Sequence, residues 1–297
     1  MPDTRRPLDG LAVGAMFVLS ALWGFQQVAI KLAAPDVPLV LQGAIRSAIA
    51  ASLLVAWARL HRIALWQRDG TLWSGLLAGV AFGAEFALIY AGLAWTTAAR
   101  MVVFIYLGPC LTALGLALFV PGEEMRPLQW TGVALAFGGI ALAFSDGFGS
   151  AGAATTTGDA MGVLAAVMWA ATTVLIRATR LARATATKVL FYQLGVSAIL
   201  LAVAAPLVDR AGGVAFTPVA VASLAYQSVV VAFASYLVWF WLLTRYLGGR
   251  LSVFAFLAPL FGVAFGRLVL GDPVSPAFLG AAAMVGAGIA LVNARRA

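Results

Sequence analysis

Long apolar runs separated by short polar breaks make up most of the chain. Ten runs are readable, at residues 10–31, 38–58, 72–95, 99–119, 127–145, 158–179, 188–208, 219–244, 250–270 and 276–293. Each predicts a helix of about 18–25 residues, enough to cross roughly 30 Å of hydrocarbon. Strands of a transmembrane barrel would alternate polar and apolar positions, and these runs do not. Pro38, Pro127 and Pro276 stand just ahead of apolar runs, where proline suits the first helical turn. Glu123, Glu124 and Asp272 precede two of these starts, where acidic groups favour the positive helix end. The first run does not read as a cleaved signal peptide. It is too long, and Gln26, Gln27 and Lys31 occupy its far end instead of small residues.

The pattern occurs twice. Residues 100–109 read RMVVFIYLGP and residues 250–259 read RLSVFAFLAP, so Arg100/Arg250, Val103/Val253, Phe104/Phe254, Leu107/Leu257 and Pro109/Pro259 coincide. After a one-residue slip, Gly122/Gly271, Pro127/Pro276 and Gly139/Gly288 also pair. Trp23-x7-Lys31 in the first run recurs as Trp169-x7-Arg177 in the sixth. Each half holds five runs, an odd number, so two similar halves in series cross a membrane in opposite senses. The expected fold is all-α and integral to the membrane, with ten transmembrane helices in two inverted-topology repeats. These span 8–145 and 158–293, joined by an extracytoplasmic linker at 146–157 within the Gly/Ala/Ser/Thr-rich stretch 145–162. Inverted repeats are common in secondary transporters, which hold their substrate near the midplane between the halves.

Composition and charge sharpen this picture. Hydrophobic residues make up 63% of the chain and charged residues 10%, against about 25% charged in a soluble domain. The net charge of +8 is unevenly placed. With ten spans both termini share a side, and that side collects fourteen Lys/Arg against four on the other, Arg46 lying inside a span. This asymmetry predicts cytoplasmic termini in a multi-pass inner (plasma) membrane protein. Its neighbours are membrane lipids with anionic headgroups, and nucleic acid is not an expected partner. Cys110 is the only cysteine and His61 the only histidine. An intrachain disulfide is excluded, a His/Cys metal site is not expected, and there is no Walker-type phosphate loop. The expectation is therefore no cofactor, no metal and no catalytic constellation.

Polar residues inside spans face the bundle or a hydrated cavity, because lipid cannot satisfy them. Trp23 and Gln27 share a helical face with Lys31, and Gln26 borders it. Trp169, Thr173 and Arg177 repeat this face, with Thr172 beside it. These read as two related cavity walls or as interhelical packing, and Lys31 and Arg177 as cations snorkelling to the interface. Glu85 is the only acid deep within a span, and Arg46 in the neighbouring span is its natural partner by depth. The pair reads as a proton-coupling site or a static ion pair. Phe82, Phe86 and Tyr90, then Tyr236, Trp239 and Phe240, then Tyr106 and Phe256, form aromatic faces at related positions. They suit an apolar or aromatic ligand, or plain packing. Pro109 and Pro259 fall about ten residues into their spans. There a proline loosens the helix and makes a candidate gating hinge, with Thr112 or Ser252 available to satisfy the freed backbone. The glycines of the fifth and tenth runs read as a packing face between them or as a dimer face, so the oligomeric state, monomer or homodimer, stays open.

The chain resembles the EamA family of the drug/metabolite transporter superfamily. The likeness rests on Trp23-Gly24 with Lys31, on Arg46, on Leu107-Gly108-Pro109, on Gly122-Glu123, and on the second-half Pro259 and Gly271-Asp272, the last in place of the family's usual Gly-Glu. It extends from about Leu11 to Asn293. It implies ten helices, with the first four of each half around a central cavity and the fifth and tenth peripheral. Within the family the chain is most similar to the YddG-type amino-acid exporters. The expected function is export of small organic metabolites, foremost aromatic or neutral amino acids, by alternating access. Efflux of amphiphilic drugs or nucleobase-type metabolites is the alternative, and a membrane-embedded enzyme the reading from another class.

Overall fold

A computed structural model describes residues 7–93, 95–96, 98–145, 153–209, 213–271 and 278–293. Its regular elements are all helices: α1 (Gly10–Ala33), α2 (Leu39–Leu60), α3 (Leu72–Gly92), α4 (Ala98–Ile105), α5 (Leu107–Phe119), α6 (Pro127–Ala143), α7 (Ala153–Ala178), α8 (Ala186–Val208), α9 (Pro218–Ala225), α10 (Tyr236–Arg245), α11 (Gly248–Ser252), α12 (Leu257–Phe265) and α13 (Phe278–Asn293). A π-helix at Tyr226–Ser235 joins α9 to α10. A 3₁₀ turn at Val253–Phe256 joins α11 to α12, and a π-helical turn at Gly266–Leu270 follows. With these composite rods counted whole, eight helices among the described residues are long and apolar enough to cross a membrane. α6 and α13 are shorter, at 17 and 16 residues, or roughly 25 Å at 1.5 Å per residue.

Three features differ from the sequence reading. First, α7 starts at Ala153 and so takes residues 153–157 from the expected linker. Asp159, in its second turn, bonds Arg100 and Thr96, which holds the beginning of α7 against α4. Second, the fourth span is broken at Tyr106, between α4 and α5. Pro109 cannot donate to the Ile105 carbonyl, and the helix turns there. The ninth span is likewise a 3₁₀ turn just upstream of Pro259. Third, neither expected hydroxyl relieves these breaks. Thr112 Oγ1 has no hydrogen-bond partner among the described residues, and Ser252 Oγ donates to the Gly249 carbonyl at 3.0 Å. The stretch 146–152, Arg210, Asp272 with Pro276, and the arginines at both termini lie outside the described residues.

Polar ties gather at the two ends of the bundle. At the end carrying Gly10, Tyr246 Oη donates to both Asp9 oxygens at 2.9 and 2.8 Å, and Lys188 Nζ donates to Asp69 Oδ2 at 2.8 Å. The Lys188 hydrogen bond, aided by the Thr71 hydroxyl, holds the Asp69 carboxyl well below the usual carboxylate range. At the other end Asp209 caps α2 by accepting from the Val40 and Leu41 amides at 3.0 and 2.9 Å.

Gly132, Gly139 and Gly288 pack α6 and α13 together within one chain. A Cβ on Gly288 would lie 2.5 Å from the Gly132 carbonyl and 2.7 Å from the Ala136 amide. Gln129 Nε2 adds a 2.8 Å hydrogen bond to the Val292 carbonyl. Gly24 plays the same part where α1 meets α12: a Cβ there would meet Phe261 Cβ at 2.5 Å and the Ala258 carbonyl at 2.7 Å. Small residues let backbones approach, so dispersion can hold helices together where lipid removes any hydrophobic drive. Gly288→Val is therefore expected to destabilise the protein by about 1–3 kcal/mol. Gly286→Val, whose Cβ would meet nothing within 4 Å, should be near neutral. Thermal unfolding of both variants in detergent checks the contrast.

Candidate functional site

One cavity of about 270 Å³ opens between the long helices. Small-molecule sites run roughly 300–1,000 Å³, so this space suits a small metabolite. All twelve residues singled out in the sequence as cavity-lining reach it. α1 contributes Trp23, Gln26 and Gln27, and α3 contributes Glu85, Phe86 and Tyr90. Tyr106 enters from the break between α4 and α5. α7 supplies Trp169, Thr172 and Thr173, and α10 supplies Tyr236 and Trp239. Of the two candidate hinge residues, Pro259 lines the cavity itself, whereas Pro109 is buried outside its lining.

Most of the aromatic residues meet edge to face, the arrangement their quadrupoles prefer, while Tyr106–Phe256 and Phe86–Tyr90 are tilted at 39°. Trp23 meets Tyr236 at 6.3 Å and Trp239 at 5.8 Å between ring centroids. Its Nε1 donates to Ser235 Oγ at 3.0 Å, and Ser235 donates in turn to the Val231 carbonyl. Phe82 meets both Phe86, at 5.2 Å, and Tyr236, at 6.0 Å. On the opposite wall Tyr106 meets Trp169 at 5.7 Å and Phe256 at 6.2 Å. Gly108 makes room for Trp169: a Cβ there would stand 2.9 Å from the indole. The mid-span aromatics thus face an enclosed space, while Trp66 and Trp73 are exposed on the outside of the bundle.

The polar groups are few. Thr172 donates to the Met168 carbonyl of its own helix at 2.9 Å. Gln27 is exposed to the cavity and Gln26 is buried in its wall. Glu85 is 8% exposed and is the only carboxylate among the described residues that line the cavity. Arg46 is fully buried but does not pair with it. The ion pairs between described residues are Arg100–Asp159, Arg177–Glu123 and Lys188–Asp69. Arg46 instead lays its guanidinium over the Phe86 ring, 4.3 Å from the centroid. The two groups sit at similar depth as expected, but the aromatic ring takes the place of the ion pair.

Arg177 also departs from expectation. It does not snorkel but is 4% exposed and ion-paired with Glu123. Its Nη1 donates to the Leu243 carbonyl at 2.6 Å, while Glu123 accepts from the Gly248 and Gly249 amides at 3.1 and 3.2 Å. This knot closes α5, α7, α10 and α11 together beneath the cavity. Lys31, by contrast, is exposed.

One polar lining residue escaped the sequence reading. Gln193 of α8 borders the cavity, is 0% exposed, and has no hydrogen-bond partner for either amide atom among the described residues. A signal was present, since it is an amide inside an apolar run, the same feature that drew attention to Gln26 and Gln27.

Comparison with known proteins fits this geometry. The profile of the EamA-like transporter family matches residues 10–145 and again 156–294. The chain is 26% identical to the uncharacterized transporter YvbV of Bacillus subtilis strain 168, over 99% of this chain and 93% of that protein. It is 30% identical to an uncharacterized transporter of Archaeoglobus fulgidus, over 76% of this chain and 78% of that one. A solved crystal structure superimposes with a TM-score of 0.82 at 22% identity, covering 96% of each chain, and shares the fold.

The Arg177–Glu123 knot generates a stability prediction. Glu123→Gln leaves a buried guanidinium without its counter-charge and is expected to cost about 3–5 kcal/mol. The double variant Arg177→Met/Glu123→Leu should recover most of that loss. Thermal unfolding in detergent measures both, and a single variant as stable as the parent would contradict the assignment.

Proposed function

The chain belongs to the EamA-like transporter family, and from that premise we propose that it is a secondary transporter exporting small organic metabolites, foremost amino acids with aromatic or neutral side chains. The cavity carries this reading. Its wall is mostly aromatic, its volume is that of a small molecule, and it presents a single carboxylate, Glu85, to a positively charged group such as an ammonium. Such a wall recognises a ring or aliphatic side chain by dispersion and stacking, with the few polar groups fixing orientation.

In this reading residues 8–145 and 158–293 are inverted five-helix repeats of a ten-helix carrier. The two separate family matches and the related positions of Trp23 and Trp169 support it. The termini face the cytoplasm of a cell whose inner membrane holds the protein, on the strength of the fourteen-to-four basic asymmetry. Pro109 and Pro259 act as gating hinges. Each lies just downstream of an interruption in the α-helix, at Tyr106 and at Val253–Phe256, where a half-helix can move with little loss of hydrogen bonding. Inversion of the repeat directs the two movable half-helices to opposite mouths of the cavity, which gives alternating access.

Two measurements test this. In proteoliposomes, labelled aromatic amino acid should accumulate by counterflow, which a channel or an enzyme does not produce. Trp23→Ala and Trp169→Ala should each raise the half-saturation concentration about tenfold, the loss of one stacked aromatic contact with its buried area. Absence of counterflow with any neutral amino acid would reject the substrate class. For the hinges, cavity cysteines probed from each side in Pro109→Ala and Pro259→Ala should shift their accessibility in opposite directions. Profiles of both variants that match the parent would reject the gating role.

A further inference from the structure

Among the described residues, Arg46 is the one fully buried cation without a hydrogen-bonded acceptor at ordinary geometry, although the Tyr236 hydroxyl lies close by. Its side chain is 0% exposed, and Nε, Nη1 and Nη2 all lack a hydrogen-bond partner among the described residues. The other buried cations do not share this condition: Arg100 bonds Asp159, Arg177 bonds Glu123 and Lys188 bonds Asp69. A guanidinium taken out of water costs several kcal/mol unless its donors are met. A π face returns part of that and satisfies none of the N–H groups directionally. The face that covers Arg46 belongs to Phe86, which is half-buried and lines the cavity on its other side. Glu85, Tyr90 and Tyr236 of the same wall lie within its electrostatic reach. Gln193, also on the cavity, leaves an amide N–H₂ buried and unpartnered. An unmet donor thus borders the cavity on α8, and on α2 the Arg46 guanidinium lies behind the Phe86 ring that lines it.

We propose that Arg46 is the anion receptor of this cavity, and that the transported molecule carries a carboxylate which takes the guanidinium when the Phe86 ring swings aside, with Gln193 donating to the same group. The planar guanidinium fork matches a carboxylate with two parallel hydrogen bonds, and in a dry site such charge-assisted bonds are strong. Exchanging a cation–π contact for a bidentate ion pair gives carboxylated molecules the advantage. The same wall then holds opposite charges at separate points: the Glu85 carboxylate for an ammonium, and Arg46 for an anion. A zwitterion meets both, while a simple amine meets only Glu85. The inference rests on the reading of this cavity as the substrate site, and it adds the charge that the substrate must carry.

The test compares four matched probes on the full-length protein in detergent: L-phenylalanine, L-phenylalaninamide, 3-phenylpropanoate and 2-phenylethylamine. Binding is followed by calorimetry. The amide keeps the ring and the ammonium and removes only the negative charge. The wild type should bind L-phenylalanine at least roughly tenfold more tightly than L-phenylalaninamide, and 3-phenylpropanoate at least roughly tenfold more tightly than 2-phenylethylamine. Arg46→Gln should bring that ratio close to one, and Arg46→Lys, which keeps the charge and loses the fork, should fall between. If Arg46→Gln does not fold, the wild-type ratio and Arg46→Lys decide. Equal binding of carboxylate and amide by the wild type, a ratio unchanged in the Arg46 variants, or binding of none of the four overturns the proposal. Discrimination by 3-phenylpropanoate without binding of L-phenylalanine upholds Arg46 and rejects the amino-acid reading, so the two failures are separable.

Discussion

A charge or an unmet hydrogen bond inside a hydrocarbon slab costs several kcal/mol, and much of this structure follows from where the chain puts the few it has. Asp159 draws Arg100 and Thr96 to the start of α7 at one end of the bundle. Glu123 draws Arg177 and two backbone amides together at the other. Asp9, Asp69 and Asp209 each accept at a helix terminus. These ties fix the ends of helices that otherwise meet through small residues and dispersion alone. Arg46 stands apart, kept in the middle of the protein under an aromatic ring.

The break in the fourth span and the 3₁₀ turn in the ninth belong to the same economy. A mid-span proline leaves a carbonyl without its donor, and the chain relieves the clash by interrupting the α-helix instead of bending it smoothly. Tyr106 occupies one break, and its ring meets Trp169 of the cavity wall and the buried Phe256 behind it. Ala255, within the other, and Pro259, just downstream of it, line the same space. The interruptions that make these helices weak also deliver side chains to the site.

The aromatic wall shows how a largely apolar chain builds a selective surface. Trp23 is fixed by a hydrogen bond to Ser235 and by edge contacts with Tyr236 and Trp239. Its ring is therefore held before any ligand arrives, which lowers the ordering cost of binding. Thr172 has spent its proton on its own helix, so the polar capacity of the cavity rests mainly on Glu85, the glutamines, Thr173, the Trp239 indole and the tyrosine hydroxyls.

Hydrophobic periodicity determined the helices themselves, since the length of an apolar run and the prolines at its start are local properties. It also marked out Trp23, Gln26, Gln27, Glu85, Trp169 and Thr173, because a polar or amphipathic residue in a lipid-length run has only the bundle interior to face. Tertiary structure decided every pairing. Arg46 and Glu85 match in depth, yet the ring of Phe86 takes the guanidinium, a choice of rotamer and helix rotation that depth along the chain does not contain. Arg177 sits near a helix end and reads as a snorkelling cation, until the fold brings Glu123 beside it from 54 residues away. The glycines of α6 and α13 fit an intrachain seam or a dimer face equally well in the sequence; the close approach of Gly132 and Gly288 assigns these two to the seam and leaves Gly286 outside it. One-dimensional pattern fixes which residues must avoid lipid, and only three-dimensional packing determines which partner each of them finds.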